Sequence, residues 1–290
     1  MKITEHIHAL KIPFEIPVAP GKVIERVVYS YIILGDRITL IDSGVSGSDE
    51  MILSFIKKIG RDPKEISLLI LSHSHPDHIG SAKAIKDATG CTIAAHAGEK
   101  NWIEDVELQF RERPVPGFYT LVGGPVRVDR LLAEGEPLAL GESIGCQVLY
   151  TPGHSKGSVS LIFGSEKAIF TGDAVPLPND LPIYDNITDC VVSLRMLKEK
   201  TVDIDIMLSS WEAPLQGKDR IRERIDDGIS YLRRIHETVI RKKGMDEKDL
   251  MELCRQVVKE MGLPPFAANP LVARAFASSL EAGADSFFEI

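Results

Sequence analysis

The sequence predicts an α/β fold of mixed sheets with helices packed outside them, extended at the C-terminal end by a helical segment. Short β-branched runs recur through roughly the first two hundred residues, and amphipathic helical stretches lie between them. The last seventy-odd residues then lose strand character altogether.

The strand runs are VVYSYIIL at 27–34, RITLID at 37–42, SLLILS at 67–72, TIAAH at 92–96, CQVLYT at 146–151, SVSLIFG at 158–164, KAIFTGD at 167–173 and IDIMLSS at 204–210. Their lengths and flanking turn residues suit buried or half-buried strands. Gly35-Asp36 predicts a hairpin between the first two, and Ser165-Glu166 predicts another between 158–164 and 167–173.

Among the helical stretches, Ser48 is placed to cap a helix that presents Met51, Ile52, Phe55, Ile56 and Ile59 and stops at Gly60. A second is expected after Asp77-His78 with Ile79, Ala82 and Ile85, and a third from Thr188 with Val191, Leu194 and Leu197. In the C-terminal segment Ile221, Ile225, Ile229, Leu232 and Val239 form one apolar stripe. A helix after Asp246 carries Leu250, Leu253, Cys254, Val257 and Met261; after Gly-Leu-Pro-Pro at 262–265, Asn269-Pro270 starts a final helix that ends at Gly283. The expected organisation is a catalytic domain over 1–215 and a helical segment over 216–290, whose helices wall the pocket and whose apolar surface is open to self-association as a homo-oligomer.

With 290 residues and 44% hydrophobic content the chain can bury a substantial core. A net charge of −8 argues against a broad basic face, so no nucleic-acid partner is expected. Cys91, Cys146, Cys190 and Cys254 lie far apart with no C-x-x-C pair, which predicts buried thiols in a reducing compartment. No apolar run reaches membrane-spanning length, and the start MKITEHIHALKIPF lacks a signal-peptide core. A cytoplasmic protein acting on a small-molecule substrate, away from membranes, is the expectation.

The chemistry concentrates in Ser72-His73-Ser74-His75-Pro76-Asp77-His78, directly after the strand run SLLIL. Three imidazoles and a carboxylate this close together are costly to bury unless they meet water or a cation. Alternation on an extended loop turns His73 and His75 the same way, and entry into a helix aims Asp77 and His78 at a neighbouring point. Nitrogen and oxygen donors without cysteine suit zinc, iron or manganese rather than a structural thiolate site. Downstream, TPGH at 151–154 and TGD at 171–173 each end a strand in a turn and present His154 and Asp173.

In the order H-x-H-x-D-H at 73–78, His154 and Asp173, preceded by a strand ending Ile41-Asp42-Ser43-Gly44, the chain resembles the metallo-β-lactamase superfamily. Within it the chain looks most similar to the glyoxalase II-like hydrolases, through Asp173 as bridging ligand and the TPG turn before His154. The resemblance covers about residues 25–212. It implies an αββα sandwich with one or two metal ions, zinc foremost, in a cleft at one sheet edge. By position it implies that His73, His75 and His154 hold the first metal, that Asp77 and His78 hold the second, and that Asp173 bridges them. Asp77 would also orient the nucleophilic water and shuttle its proton.

One departure stands out. The family supplies a further histidine after a late strand, whereas here IDIMLSS leads into Trp211-Glu212-Ala213-Pro214. His236 is the only histidine beyond His154, and its spacing from Ile229 and Leu232 makes it a core-edge residue. Glu212 could offer an oxygen beside the vacant position, or be a turn carboxylate. His6 and His8 alternate near the start without a third ligand and are assigned to a strand surface, and His96 to a structural hydrogen bond. The regions 105–125 and 174–187 are expected either to rim the cleft or to be structural loops.

Hydrolysis of a thioester, ester or lactone is therefore the leading expectation. A mononuclear iron dioxygenase acting on persulfides, which needs fewer ligands, and a non-catalytic metal-stabilised binding protein are the alternatives.

Overall fold

The computed structural model describes residues 1–19, 21–243, 249–284 and 288. The chain divides into two compact units. The first comprises 1–150, 157–172 and 206–215; the second comprises 151–156, 173–205 and 216–290.

Two six-stranded sheets carry the fold. The first runs in sequence order through β1 (Ile7–Ala19), β2 (Lys22–Leu34), β3 (Ile38–Ile41), β4 (Ile66–Ile70), β5 (Thr92–His96) and β6 (Arg130–Leu132). The first three strands pair antiparallel and the last four parallel, so the sheet is mixed. The second also places its strands in sequence order, from β7 (Pro137–Ala139), β8 (Gly145–Tyr150), β9 (Val159–Phe163) and β10 (Ala168–Gly172) to β11 (Ile206–Ser209) and β12 (Leu215–Gln216). All eight predicted runs fall on strands. Both hairpins form, with Leu34 opposite Ile38 and Phe163 opposite Ala168.

The sequence predicts a strand only around His6 and His8, not the full length of β1. Pro13 and Pro17 interrupt it, and only an edge position, which β1 occupies, tolerates residues that cannot donate to a ladder. Its first residues also correct the reading of His8 as a surface residue: His8 is 8% exposed, its ring T-shaped to that of Phe55 at 5.7 Å between centroids.

Helices α1 (Ser48–Lys58), α2 (Pro76–Ile79), α3 (Ala82–Thr89), α4 (Lys100–Glu104), α5 (Val106–Glu112) and α6 (Phe118–Leu121) belong to the first unit. Ser48 is the first helical residue rather than the cap; Gly47, in the left-handed region, takes that position, and the Asp49 N–H of the first turn donates to the Ser81 hydroxyl at 3.1 Å. The helix expected after His78 is broken at Gly80-Ser81, where the Gly80 N–H donates to the Gly44 carbonyl at 2.8 Å instead of continuing the helical ladder; a Cβ at Gly80 would lie 2.3 Å from the Leu121 carbonyl oxygen, so only glycine fits there. Ile52, Ile56, Ile79, Ile85, Ile103 and Leu121 of these helices bury one face of the first sheet with Val28, Ile32 and Leu40. Its other face, with Tyr31, Ile33, Ile41 and Ile70, meets Val148, Leu161, Phe163, Phe170 and Leu208 of the second sheet.

The second unit contains α7 (Ile187–Lys200), α8 (Lys218–Lys242), α9 (Leu250–Glu260) and α10 (Pro270–Ala282). Asn269 caps α10 as expected, accepting from the N–H groups of Leu271 and Val272. Asp249 caps α9; Asp246, from which the sequence placed that helix, lies outside the described residues. The 174–187 region is tied to α10, Tyr184 to Ser279 at 3.1 Å and the Ile187 N–H to Ser278 at 2.9 Å.

Candidate metal centre

The H-x-H-x-D-H segment leaves the buried end of β4 and turns into α2, with Pro76 at the first helical position, where a missing N–H costs nothing. His73, His75 and His78 are all at most 4% exposed. The ring centroids of His73 and His75 are 4.5 Å apart, and those of His73 and His78 are 4.0 Å apart.

The buried hydrogen bonds fix how these rings present themselves. Asp42, fully buried, accepts the Ser72 N–H and hydroxyl at 2.7 Å each. The Ser72 hydroxyl has thus spent its proton, so at 3.0 Å its oxygen accepts from His73 Nδ1–H. His78 Nδ1 is 2.8 Å from the same Asp42 carboxylate and must be its donor. Both rings therefore carry their proton on Nδ1 and keep a lone pair on Nε2, the form in which imidazole binds a cation. Asp42 itself sits at φ 59, a backbone conformation that aspartate tolerates better than most residues.

Ser74, between two of the histidines, is clamped from two further elements. Glu99, 1% exposed, accepts the Ser74 N–H at 2.9 Å and its hydroxyl, and takes the Gly157 N–H at 2.5 Å. Gln109 of α5 donates to the Ser74 carbonyl at 2.5 Å. The 105–125 region thus reaches the histidine loop through one glutamine. Sequence reasoning passed over Glu99 and Gln109, because a single carboxylate or amide in a helical stretch carries no pattern.

The TPGH turn is built against the start of α7. The Gly153 carbonyl accepts the Asp185 and Asn186 N–H groups, and Ser193 donates to the Pro152 carbonyl at 2.7 Å. A Cβ on Gly153 would lie 2.3 Å from the Cys190 nitrogen, so only glycine fits. His154 Nε2 is 3.3 Å from Asp173 Oδ2.

The structure brings the expected donors together. One ligand atom from each of His73, His75 and His154 lies within 4.8 Å of the others, and the same holds for His73, His78 and Asp173. Asp77 joins neither group, but its Oδ2 is 3.2 Å from His78 Nε2. Neutral imidazole and carboxylate at this spacing, with the rings oriented by buried acceptors, fit a divalent transition-metal ion.

The remaining candidates lie elsewhere. His96 accepts the Gly98 N–H at 3.2 Å and stacks on Tyr150, the structural role expected of it. His236 is buried on α8 with its ring against Phe288. Trp211 follows Ser210, whose N–H reaches the Gly172 carbonyl beside Asp173. Its indole, however, lies under the Arg26 guanidinium at 4.4 Å and beside Phe14.

Residues 23–209 match the family model of the metallo-beta-lactamase superfamily, and the chain belongs to that family. It is 32% identical over 155 residues to the acyl-coenzyme A thioesterase of Gallus gallus, covering 48% of this chain and 53% of that protein. It is 31% identical over 110 residues to the hydroxyacylglutathione hydrolase of Rhodospirillum rubrum, covering 38% and 34% of the two chains. The chain thus spans about half the length of one of these relatives and a third of the other. A crystal structure of a metallo-beta-lactamase family protein from Thermus thermophilus superposes with a TM-score of 0.75 at 18% identity, over 96% of this chain and 95% of that one. The metallo-β-lactamase fold expected from the motif order is therefore the fold observed. No helix among the described residues is long and apolar enough to cross a membrane.

Proposed function

We propose that the chain is a metal-dependent hydrolase that directs an activated water at a small acyl substrate, a thioester, ester or lactone. The two donor groups that share His73 carry this reading. The kinship to proteins named as a thioesterase and a hydroxyacylglutathione hydrolase supports the acyl substrate. In this reading His73, His75 and His154 would hold a first ion, Asp77 and His78 a second, and Asp173 would serve both. Zinc suits the donors best, with iron or manganese next.

When bound, such an ion lowers the pKa of a coordinated water and polarises the acyl carbonyl. The chain's own part is orientation: Asp42, through Ser72 and directly, fixes the Nδ1 protons of His73 and His78, and Glu99 holds the loop between them. Asp77, beside His78 Nε2, would position the attacking water and take its proton. Residues 1–215 form the catalytic domain in this reading, with 216–290 as an appended helical segment. Free, buried cysteines at 91, 146, 190 and 254 are consistent with a reducing, cytoplasmic setting.

Zinc-loaded protein is expected to cleave a panel of thioesters and lactones, and His75→Ala to abolish that cleavage. Equal rates for the two proteins overturn the reading. Trp211 at the position of the late histidine favours a second reading, the mononuclear iron persulfide dioxygenase. Iron at about one per chain with persulfide-dependent oxygen uptake selects it.

A further inference from the structure

His6, which the metal centre does not use, lies in a second constellation of reactive groups. Its Nδ1 is 2.7 Å from Glu166 Oε1 and its Nε2 is 3.2 Å from Ser143 Oγ. A carboxylate can only accept, so the Nδ1 proton points at Glu166 and the Nε2 lone pair faces the serine hydroxyl. This is the arrangement of an activated nucleophile: hydroxyl, base, and a third group that orients the base. We propose that Ser143, His6 and Glu166 form a second, metal-independent nucleophilic site at which Ser143 takes an acyl group from small activated esters.

The fold separates this site from the metal centre. Ser143 precedes β8 and Glu166 precedes β10, whereas His154 and Asp173 follow those same strands. β8 and β10 are both antiparallel to β9, so Ser143 and Glu166 lie at one end of these strands and the metal-binding turns start from the opposite end. Strands of six and five residues put roughly 15–20 Å between the two ends.

The backbone at His6 and the turn that carries Ser143 are held by their surroundings. The His6 carbonyl accepts the Leu34 N–H at 2.8 Å, and the Ser143 turn is closed by Leu140 N–H to the Ile144 carbonyl at 3.0 Å. That turn sits so tightly over Gly35 that a Cβ there would lie 2.0 Å from the Leu140 oxygen. Exposure is graded as a nucleophilic site requires: the Glu166 side chain is 9% exposed and that of His6 21%, while Ser143 is open to solvent.

In the acylation step Ser143 Oγ bonds to the acyl carbon while its proton passes to His6 Nε2. The bond from that carbon to the ester oxygen breaks, and the leaving alcohol carries the proton away. Water then gives a proton to His6 and attacks the acyl-serine, and Ser143 Oγ leaves with that proton as the free acid departs.

The full chain, after treatment with a chelator, is incubated with p-nitrophenyl acetate and, separately, with a fluorophosphonate. Intact mass and peptide mapping then locate the adduct. One adduct per chain on Ser143 is expected, absent from Ser143→Ala and undiminished in His75→Ala. Glu166→Gln, which keeps a hydrogen-bond acceptor for the ring, is expected to slow labelling about tenfold or more. Thermal melting confirms that each variant folds. Labelling that survives Ser143→Ala, vanishes with His75→Ala, or fails to occur in the wild-type chain overturns the proposal.

Discussion

Glu99 and Ser74 are joined twice in the protein interior, the carboxylate accepting both the backbone N–H at 2.9 Å and the hydroxyl of the serine that separates His73 from His75. The same carboxylate takes the Gly157 N–H, three residues past His154. One buried side chain therefore joins the loop between His73 and His75 to the Gly157 backbone.

Removing it should be felt in both stability and metal binding. Glu99→Ala leaves the Ser74 and Gly157 N–H groups buried without an acceptor, at a cost of about 1–3 kcal/mol each. Melting should fall by several degrees, and zinc affinity by about tenfold or more. Glu99→Gln, which retains one acceptor, should fall between alanine and wild type. An alanine variant that matches the wild type in calorimetry and zinc titration refutes the role assigned to Glu99.

Asp42→Asn tests the orientation of the rings. Asparagine is as tolerant as aspartate of the φ of 59 found here, so the backbone should stay in place. Its amide has only one acceptor oxygen for the Ser72 N–H, the Ser72 hydroxyl and His78 Nδ1, so at least one ring loses its fixed tautomer. Zinc affinity is expected to fall by about 10–100-fold with little change in circular dichroism. An unaltered binding isotherm contradicts the arrangement.

What could be read in advance and what could not divide along physical lines. Strands β2 to β5 and β8 to β11 were legible because burial on one or both faces leaves an unbroken apolar signature, and the donors at 73–78, 154 and 173 because clustered imidazoles have no place in a core. The edge strand β1 was obscured by its prolines and charges, and β6 and β7, three residues each, are too short to show a period. Asp42 was visible only as part of a motif. Glu99, Gln109 and the His6 constellation depend on residues 25 to 160 positions apart, contacts that no local pattern reports.

The TPGH turn yields a paired prediction. Gly153 has φ 123, and any Cβ there meets the Cys190 backbone at 2.3–2.6 Å, neither of which can relax without moving α7. Gly153→Ala is expected to cost at least about 1–3 kcal/mol. Gly164→Ala, in a turn where a Cβ meets nothing within 4 Å, should be nearly neutral. Urea midpoints that fail to separate the two variants refute this account of why glycine precedes His154.

His236 gives the fold a pH dependence whose sign follows from its setting. Burial on α8, at 4% exposure and against Phe288, lowers its pKa below 6.5, and the Gly283 backbone and the Glu237 charge only partly offset that. The unfolded chain therefore takes up this proton before the folded one does, and stability rises with pH over that interval. The stabilisation is complete above about pH 6.5 and is lost as the pH falls toward the lower folded value, where the loss levels off. His8 shifts in the same direction, through burial first and then the charges of the N-terminus and Lys2, so wild-type unfolding alone does not isolate His236. The difference between His236→Gln and wild type does. Whatever the substitution costs near pH 7.5, the variant should recover stability relative to wild type in urea titrations stepped down to about pH 5.5. A difference that stays constant or moves the other way would show that the folded chain does not hold this imidazole neutral.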